Sequence, residues 1–165
     1  MSFLDSTDDP KRAARRPLYG FLLVTLAIGA AASLFTEPNL TVWYASLARV
    51  RFLPAIWVLR PIWTVLYVLM AVAAWRVWKQ TGLKSTAMAV YALQLGFTFV
   101  WTALFFGRHQ IGLSLLALGL LGLLRLAAAI LFWRKDRLAG LLFLPVLVWG
   151  GFETFAVSQL WALNA

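Results

Sequence analysis

Long apolar runs separated by short polar breaks dominate this chain. Residues 18–35, 61–78, 85–106, 111–133 and 138–163 are nearly continuous in Leu, Val, Ala, Phe and Trp. Each is close to the roughly 20 residues that a bilayer-crossing helix needs. The runs lack the apolar–polar alternation over about 10 residues that marks a membrane barrel strand. A helix satisfies its own backbone in lipid, so the pattern predicts an all-α membrane protein, a five-transmembrane-helix bundle. Residues 1–17 read as a polar, basic tail and 18–164 as one membrane domain. Pro61 is expected in the first turn of the second helix, where its missing N–H costs little. Residues 36–60, with Pro38 and Pro54, read as a long connection.

Composition narrows the class. Of 165 residues, 62% are hydrophobic and 13% are charged, and the mean hydropathy is +0.82. Soluble domains carry about 45–50% apolar and about 25% charged residues, so a water-soluble globule is excluded. The chain has no cysteine and one histidine. Disulfides, thiolate sites and multi-histidine metal centres within one chain are excluded with them.

The net charge of +9 would point to nucleic acid in a soluble protein, but no basic, aromatic-interleaved face supports that. The basic residues instead sort by membrane side. Ten of the fifteen lie in the tail and the second and fourth loops: Lys11, Arg12, Arg15 and Arg16; Arg76, Lys79 and Lys84; Arg134, Lys135 and Arg137. Arg49, Arg51, Arg60 and Arg108 fall on the other side, and Arg125 lies within the fourth span. Lys and Arg near span ends favour the cytoplasm, so the N-terminus is expected there and the first connection outside. Residues 1–35 also fit a signal peptide with small residues Ala30, Ala31 and Ala32 near its end. An intact-mass measurement separates the two readings.

Polar and aromatic residues inside the spans form stripes at helical spacing. They are Trp63, Tyr67, Met70, Ala74 and Trp78 in the second span; Tyr91, Gln94, Thr98, Thr102 and Phe105 in the third; and Pro145, Trp149, Glu153, Ala156 and Leu160 in the fifth. Converging, they would line a cavity for a large, flat, mostly apolar ligand with a polar edge. The same spacing also suits plain packing. Trp43, Trp78, Trp133 and Trp161, near span ends, read as interfacial anchors. Arg125 and Glu153 are intramembrane charges and so functional candidates. Counted from the fourth loop they lie 8 and 15 residues deep, about 10 Å apart along the axis. A structural ion pair and proton or anion handling both remain open for them. His109 reads as a solvated loop residue, with axial ligation of a haem iron as its functional alternative. Gly29 and Ser33 form a small-residue pair able to seat a neighbouring helix. No paired-carboxylate, nucleophile–histidine or phosphate-loop constellation is visible.

Several stretches resemble the TspO/translocator protein family (tryptophan-rich sensory proteins, peripheral benzodiazepine receptor). They are Trp43-Tyr44-x-x-Leu47, Pro54, Trp57-Val58 and Trp63-Thr64-x-Leu66-Tyr67-x-Leu69-Met70; then Tyr91-x-x-Gln94-Leu95 and Trp101-Thr102-x-x-Phe105-Phe106-Gly107; then Ala139-Gly140-x-Leu142, Pro145-x-Leu147-x-Trp149 and Trp161-x-Leu163-Asn164. The resemblance implies a homodimeric five-helix protein with a pocket under the first connection. Its ligands would be porphyrins and haem-type tetrapyrroles, with sterols a less supported class, and no cofactor is required. The implied role is stress sensor, scavenger or tetrapyrrole transport accessory in a bacterial cytoplasmic membrane. Alternatives are light- and oxygen-dependent porphyrin breakdown and a small proton- or anion-coupled transporter using Glu153 and Arg125.

By position, Trp57, Trp63, Tyr67 and Trp149 match the family's second- and fifth-helix aromatics, and Trp63 and Trp149 are the photochemical candidates. Gln94, Thr98, Phe152 and Glu153 complete the expected ligand-binding set. The chain departs from the family pattern at Arg49-Val50-Arg51-Phe52, at Thr98 in place of asparagine, and at Phe152 and Glu153 in place of small residues. The family's fourth-helix tryptophan is missing, and Arg125 is an addition. Arg51, Arg60 and Arg125 are candidate partners for propionates, because guanidinium matches carboxylate geometry. A sterol-recognition-like pattern, Leu40…Tyr44…Arg49, falls in the first connection.

Overall fold

The computed structural model describes residues 10–48 and 54–165. Its elements are α1 (Pro10–Leu40), the short α2 (Trp43–Ser46), α3 (Ile56–Thr81), α4 (Thr86–Thr102), α5 (Ile111–Lys135) and α6 (Arg137–Asn164). A π-helical turn, Ala103–Gly107, continues α4. No strand occurs among the described residues, and five helices there are long and apolar enough to cross a membrane. Leu23, Leu116, Leu123 and Val148 are among many large apolar side chains exposed on the outside of the bundle. A soluble monomer does not expose apolar surface on that scale, and lipid is the solvent that suits it. The protein is an integral membrane protein.

Helix ends follow local chemistry. Ser85 caps α4 by accepting from the Met88 amide at 3.3 Å. Asp136 caps α6 by accepting from the Ala139 amide at 3.0 Å. Gly82 closes α3 at φ 69°, a left-handed conformation that needs no Cβ. Asp136 alone separates α5 from α6. At Gly140 a Cβ would lie 2.8 Å from the Trp133 Cα, so only glycine fits this tight return.

Two boundaries differ from expectation. Helix α1 begins at Pro10, so Pro17 lies inside it and part of the expected tail is helical. Helix α3 begins at Ile56, which puts Pro61 beyond the first turn. Each proline withholds a single donor from the helix and does not end it. The expected loop 36–60 is also partly helical, because its polar groups find partners. Glu37 pairs with Arg60, the Thr36 hydroxyl donates to the Ala32 carbonyl at 3.3 Å, and the Asn39 amide donates to the Phe35 carbonyl at 2.9 Å. Arg49, Val50, Arg51 and Phe52 lie outside the described residues.

The five long helices form a ring in the order α1, α3, α6, α5, α4. The half holding the Gly82 and Asp136 turns is solid: Met70, Val77, Phe132, Phe143 and Val146 are fully buried there. Thr25 on α1 bonds the Tyr91 hydroxyl on α4 across it. The other half carries the first connection, the 108–110 loop and the C-terminal end of α6. Asn164 ties these together, accepting from the Ala48 amide at 2.9 Å and donating to its carbonyl at 3.0 Å.

Candidate functional site

The second half of the bundle is hollow. A cavity of about 440 Å³ opens there, within the 300–1,000 Å³ range of small-molecule sites. The stripes expected on the third and fifth spans point into the bundle. Tyr91, Gln94, Thr98, Thr102 and Phe105 are all buried, as are Glu153, Ala156 and Leu160. Pro145 faces outward, and its place on the buried line is taken by Val146.

Six of the eight expected site residues meet at the cavity. Trp63 and Tyr67 reach it from α3, Thr98 from α4, and Trp149, Phe152 and Glu153 from α6. The rings pair within each helix: Trp63 and Tyr67 have centroids 5.4 Å apart, and Trp149 and Phe152 have theirs 5.2 Å apart. Trp57 stands apart from them: it is 76% exposed and lies outside the lining, on the outward face of the first turns of α3. Gln94 also stands apart from the lining. It is fully buried but lies in the solid half, donating to the Met70 sulfur at 3.6 Å.

The wall also contains residues outside the expected set. From α1 come Gly29, Ser33, Thr36 and Glu37, and Trp101 and Phe106 join from the α4 segment. Gly29 does seat a neighbour: a Cβ there would lie 2.5 Å from the Tyr67 ring. Trp101 is not in the expected third-span stripe, although it follows Thr98 by three residues and helical spacing could have found it. The α1 wall carried a fainter signal, small and hydroxylated residues at 29, 33 and 36.

The cavity is mainly apolar with few unsatisfied polar groups. Thr98 and Thr102 donate to carbonyls one turn back, at 2.9 Å each. The buried indole nitrogen of Trp101 has no hydrogen-bond acceptor among the described residues, whereas the Trp149 indole faces the Glu153 carboxylate. An indole N–H is a donor only, so Trp101 offers a bond to a guest. Glu37 and Arg60, on α1 and α3, line the rim and pair across it.

The first connection closes the top. Leu40 and Tyr44 face the cavity, while Arg49 of the sterol-like pattern lies outside the described residues. Trp43, expected as an interfacial anchor, is instead half-buried and stacks on His109 at 4.2 Å and 10°. His109 is therefore not simply solvated: its Nε2 lies 2.9 Å from the Asn39 Oδ1, and it stands outside the cavity lining. The π turn places Phe105 and Phe106 inward beneath Trp43.

Arg125 and Glu153 are adjacent, with Nη1 3.6 Å from Oε2. The long arginine side chain spans the offset in depth between them. Gly150 makes room, since a Cβ there would lie 2.9 Å from Nη1. The guanidinium carbon also stands 5.4 Å from the centre of the Trp63 ring, within cation–π range.

Comparison with known proteins agrees with this architecture. The family model for the TspO/MBR family matches residues 21–162. A tryptophan-rich sensory protein of Cereibacter sphaeroides is 36% identical over 144 residues, covering 87% of this chain and 90% of its own length. Protein CrtK of Rhodobacter capsulatus is 33% identical over 150 residues, covering 89% and 92%. The translocator protein of Bos taurus is 32% identical over 152 residues, covering 90% of each.

Proposed function

The chain belongs to the TspO/MBR family, and we propose that its cavity receives a porphyrin- or haem-type tetrapyrrole within the membrane. The observation that carries this reading is the convergence of Trp63, Tyr67, Trp101 and Trp149 from three helices on one void. Aromatic faces favour a flat apolar guest by offset stacking and dispersion. The unpartnered Trp101 indole N–H then meets an acceptor on the guest. No histidine lines the cavity, and the guest is held chiefly by its ring faces and edges. The protein acts as a tetrapyrrole sensor, scavenger or transport accessory in a bacterial cytoplasmic membrane, with its N-terminus in the cytoplasm.

Titration of purified protein with protoporphyrin IX tests the reading. Saturable quenching of tryptophan fluorescence is expected, weakened at least tenfold by Trp63→Phe with Trp149→Phe. An unchanged isotherm in that double variant rules this cavity out as the site.

A second reading, light- and oxygen-dependent breakdown of the bound porphyrin, is favoured by one placement: both photochemical candidates, Trp63 on α3 and Trp149 on α6, line the same cavity. Illumination in air would then bleach the bound porphyrin's absorbance, and the same two substitutions would slow the bleaching. Equal bleaching rates in wild type and variant would remove this reading.

A further inference from the structure

Arg125 is 1% exposed, and none of Nε, Nη1 and Nη2 has a hydrogen-bond acceptor among the described residues. Its counter-ion stands at 3.6 Å, beyond the roughly 2.7–2.9 Å of a charge-assisted hydrogen bond. The Glu153 carboxylate has the Trp149 indole as its other neighbour, but its Oε2 has no donor in bonding geometry among the described residues. A guanidinium carries five N–H donors in a planar fork, and a buried ion pair offsets its desolvation only when such donors are met. This pair is incomplete as it stands.

The pair also has an order. Glu153 lines the cavity, whereas Arg125 lies one layer behind it, against Trp63 and over Gly150. Glu153 is thus the group a guest reaches first, and open volume lies beside it. Arg125 is held in place independently, by the Trp63 face and the groove at Gly150.

We propose that Arg125 is the receptor for a carboxylate carried on the edge of the guest, and that Glu153 is the internal carboxylate it displaces. The ligand class is then narrower than a flat apolar molecule: it is a planar guest bearing an acidic group at one edge. The guest's carboxylate takes two guanidinium N–H groups side by side, the geometry that arginine offers and lysine does not. Glu153 turns aside as it leaves and takes up the proton that the guest's carboxylic acid gives up, so that no carboxylate is left charged without a partner. This inference rests on the proposed reading of the cavity as a guest site.

The test compares protoporphyrin IX with its dimethyl ester, which keeps the ring and removes the charge. Each is titrated against full-length wild type, Glu153→Gln, and Arg125→Met with Glu153→Gln, the last chosen because it leaves no lone buried charge. Wild type is expected to bind the free acid at least tenfold more tightly than the ester. Glu153→Gln, with the competitor neutralised, should bind the acid about tenfold more tightly than wild type and the ester unchanged. The double variant should bind acid and ester alike. A purely structural ion pair would shift the melting temperature without moving the acid-to-ester ratio. Equal binding of the two forms by wild type, or an acid preference that survives in the double variant, overturns the subsite alone. Failure of both forms to bind overturns the cavity reading and the subsite with it.

Discussion

Tyr67 is held against the cavity by what α1 lacks. A Cβ on Gly29 would sit 2.5 and 2.8 Å from two carbons of its ring, and a rigid, buried aromatic ring cannot yield as cheaply as the end of a flexible side chain. Gly29→Ala should therefore cost about 1–3 kcal/mol of stability, read as a lowered melting temperature, and should weaken guest binding by displacing Tyr67. Gly119 meets nothing within 4 Å, so Gly119→Ala should melt at or slightly above the wild-type temperature. Equal melting temperatures for the two variants would contradict this packing. Single residues also show where a linear pattern stops informing. Helical spacing put Gln94 on the same face as Thr98, and that is where it lies. The spacing carries no information about depth, and one turn separates the hollow half from the solid one. Trp57 was selected by its resemblance to family aromatics, but its register on α3 turns it outward.

The turn between α5 and α6 shows how one side chain joins three helices. Asp136 caps α6 through the Ala139 amide, pairs with Arg76 of α3 at 2.7 Å, and lies 3.5 Å from the Gln80 amide. Partial burial acts to raise its carboxyl, but the Ala139 amide and Arg76 outweigh this and hold it below the usual carboxylate range. A depressed native value means the charge stabilises the fold fully above the unfolded carboxylate value, about 3.9, and less as pH falls through the native value. Asp136→Asn keeps a competent cap and removes the charge. Its melting temperature should lie below wild type at pH 7, and the gap should close below about pH 4. Asp136→Ala loses the cap as well and should cost about 1 kcal/mol more. A gap that persists unchanged at acid pH would show that the carboxylate charge is not what matters. The existence and type of every long helix were legible in the apolar runs, because in lipid a continuous apolar segment has one backbone solution. The ends of α1 and α3 were not. Pro17 and Pro61 lie inside them, past the starts that a proline suggests, and the far end of α1 carries Glu37 and Asn39, whose partners Arg60 and His109 lie far along the chain.

Orientation in the membrane is set by charge carried at the two ends of the whole bundle. Arg76, Lys79, Lys84, Arg134, Lys135 and Arg137 gather around the Gly82 and Asp136 turns, the end where α1 also begins. The cavity end carries Arg60, paired with Glu37, and Arg108. The positive-inside rule then predicts the solid end in the cytoplasm and the cavity end on the far side. The chain contains no cysteine, so an introduced thiol reports its own position. Lys84 and Arg108 are both exposed and lie in opposite end loops. Lys84→Cys lowers the basic count on the expected cytoplasmic side by one of ten, and Arg108→Cys lowers the other by one of four, so neither reverses the bias. With a membrane-impermeant maleimide on spheroplasts, Arg108→Cys should label while the cells are intact and Lys84→Cys only after permeabilisation. The reverse pattern would turn the bundle over and open the cavity to the cytoplasm. Its guests would then be drawn from inside the cell, and the rim pair Glu37–Arg60 would face them from that side.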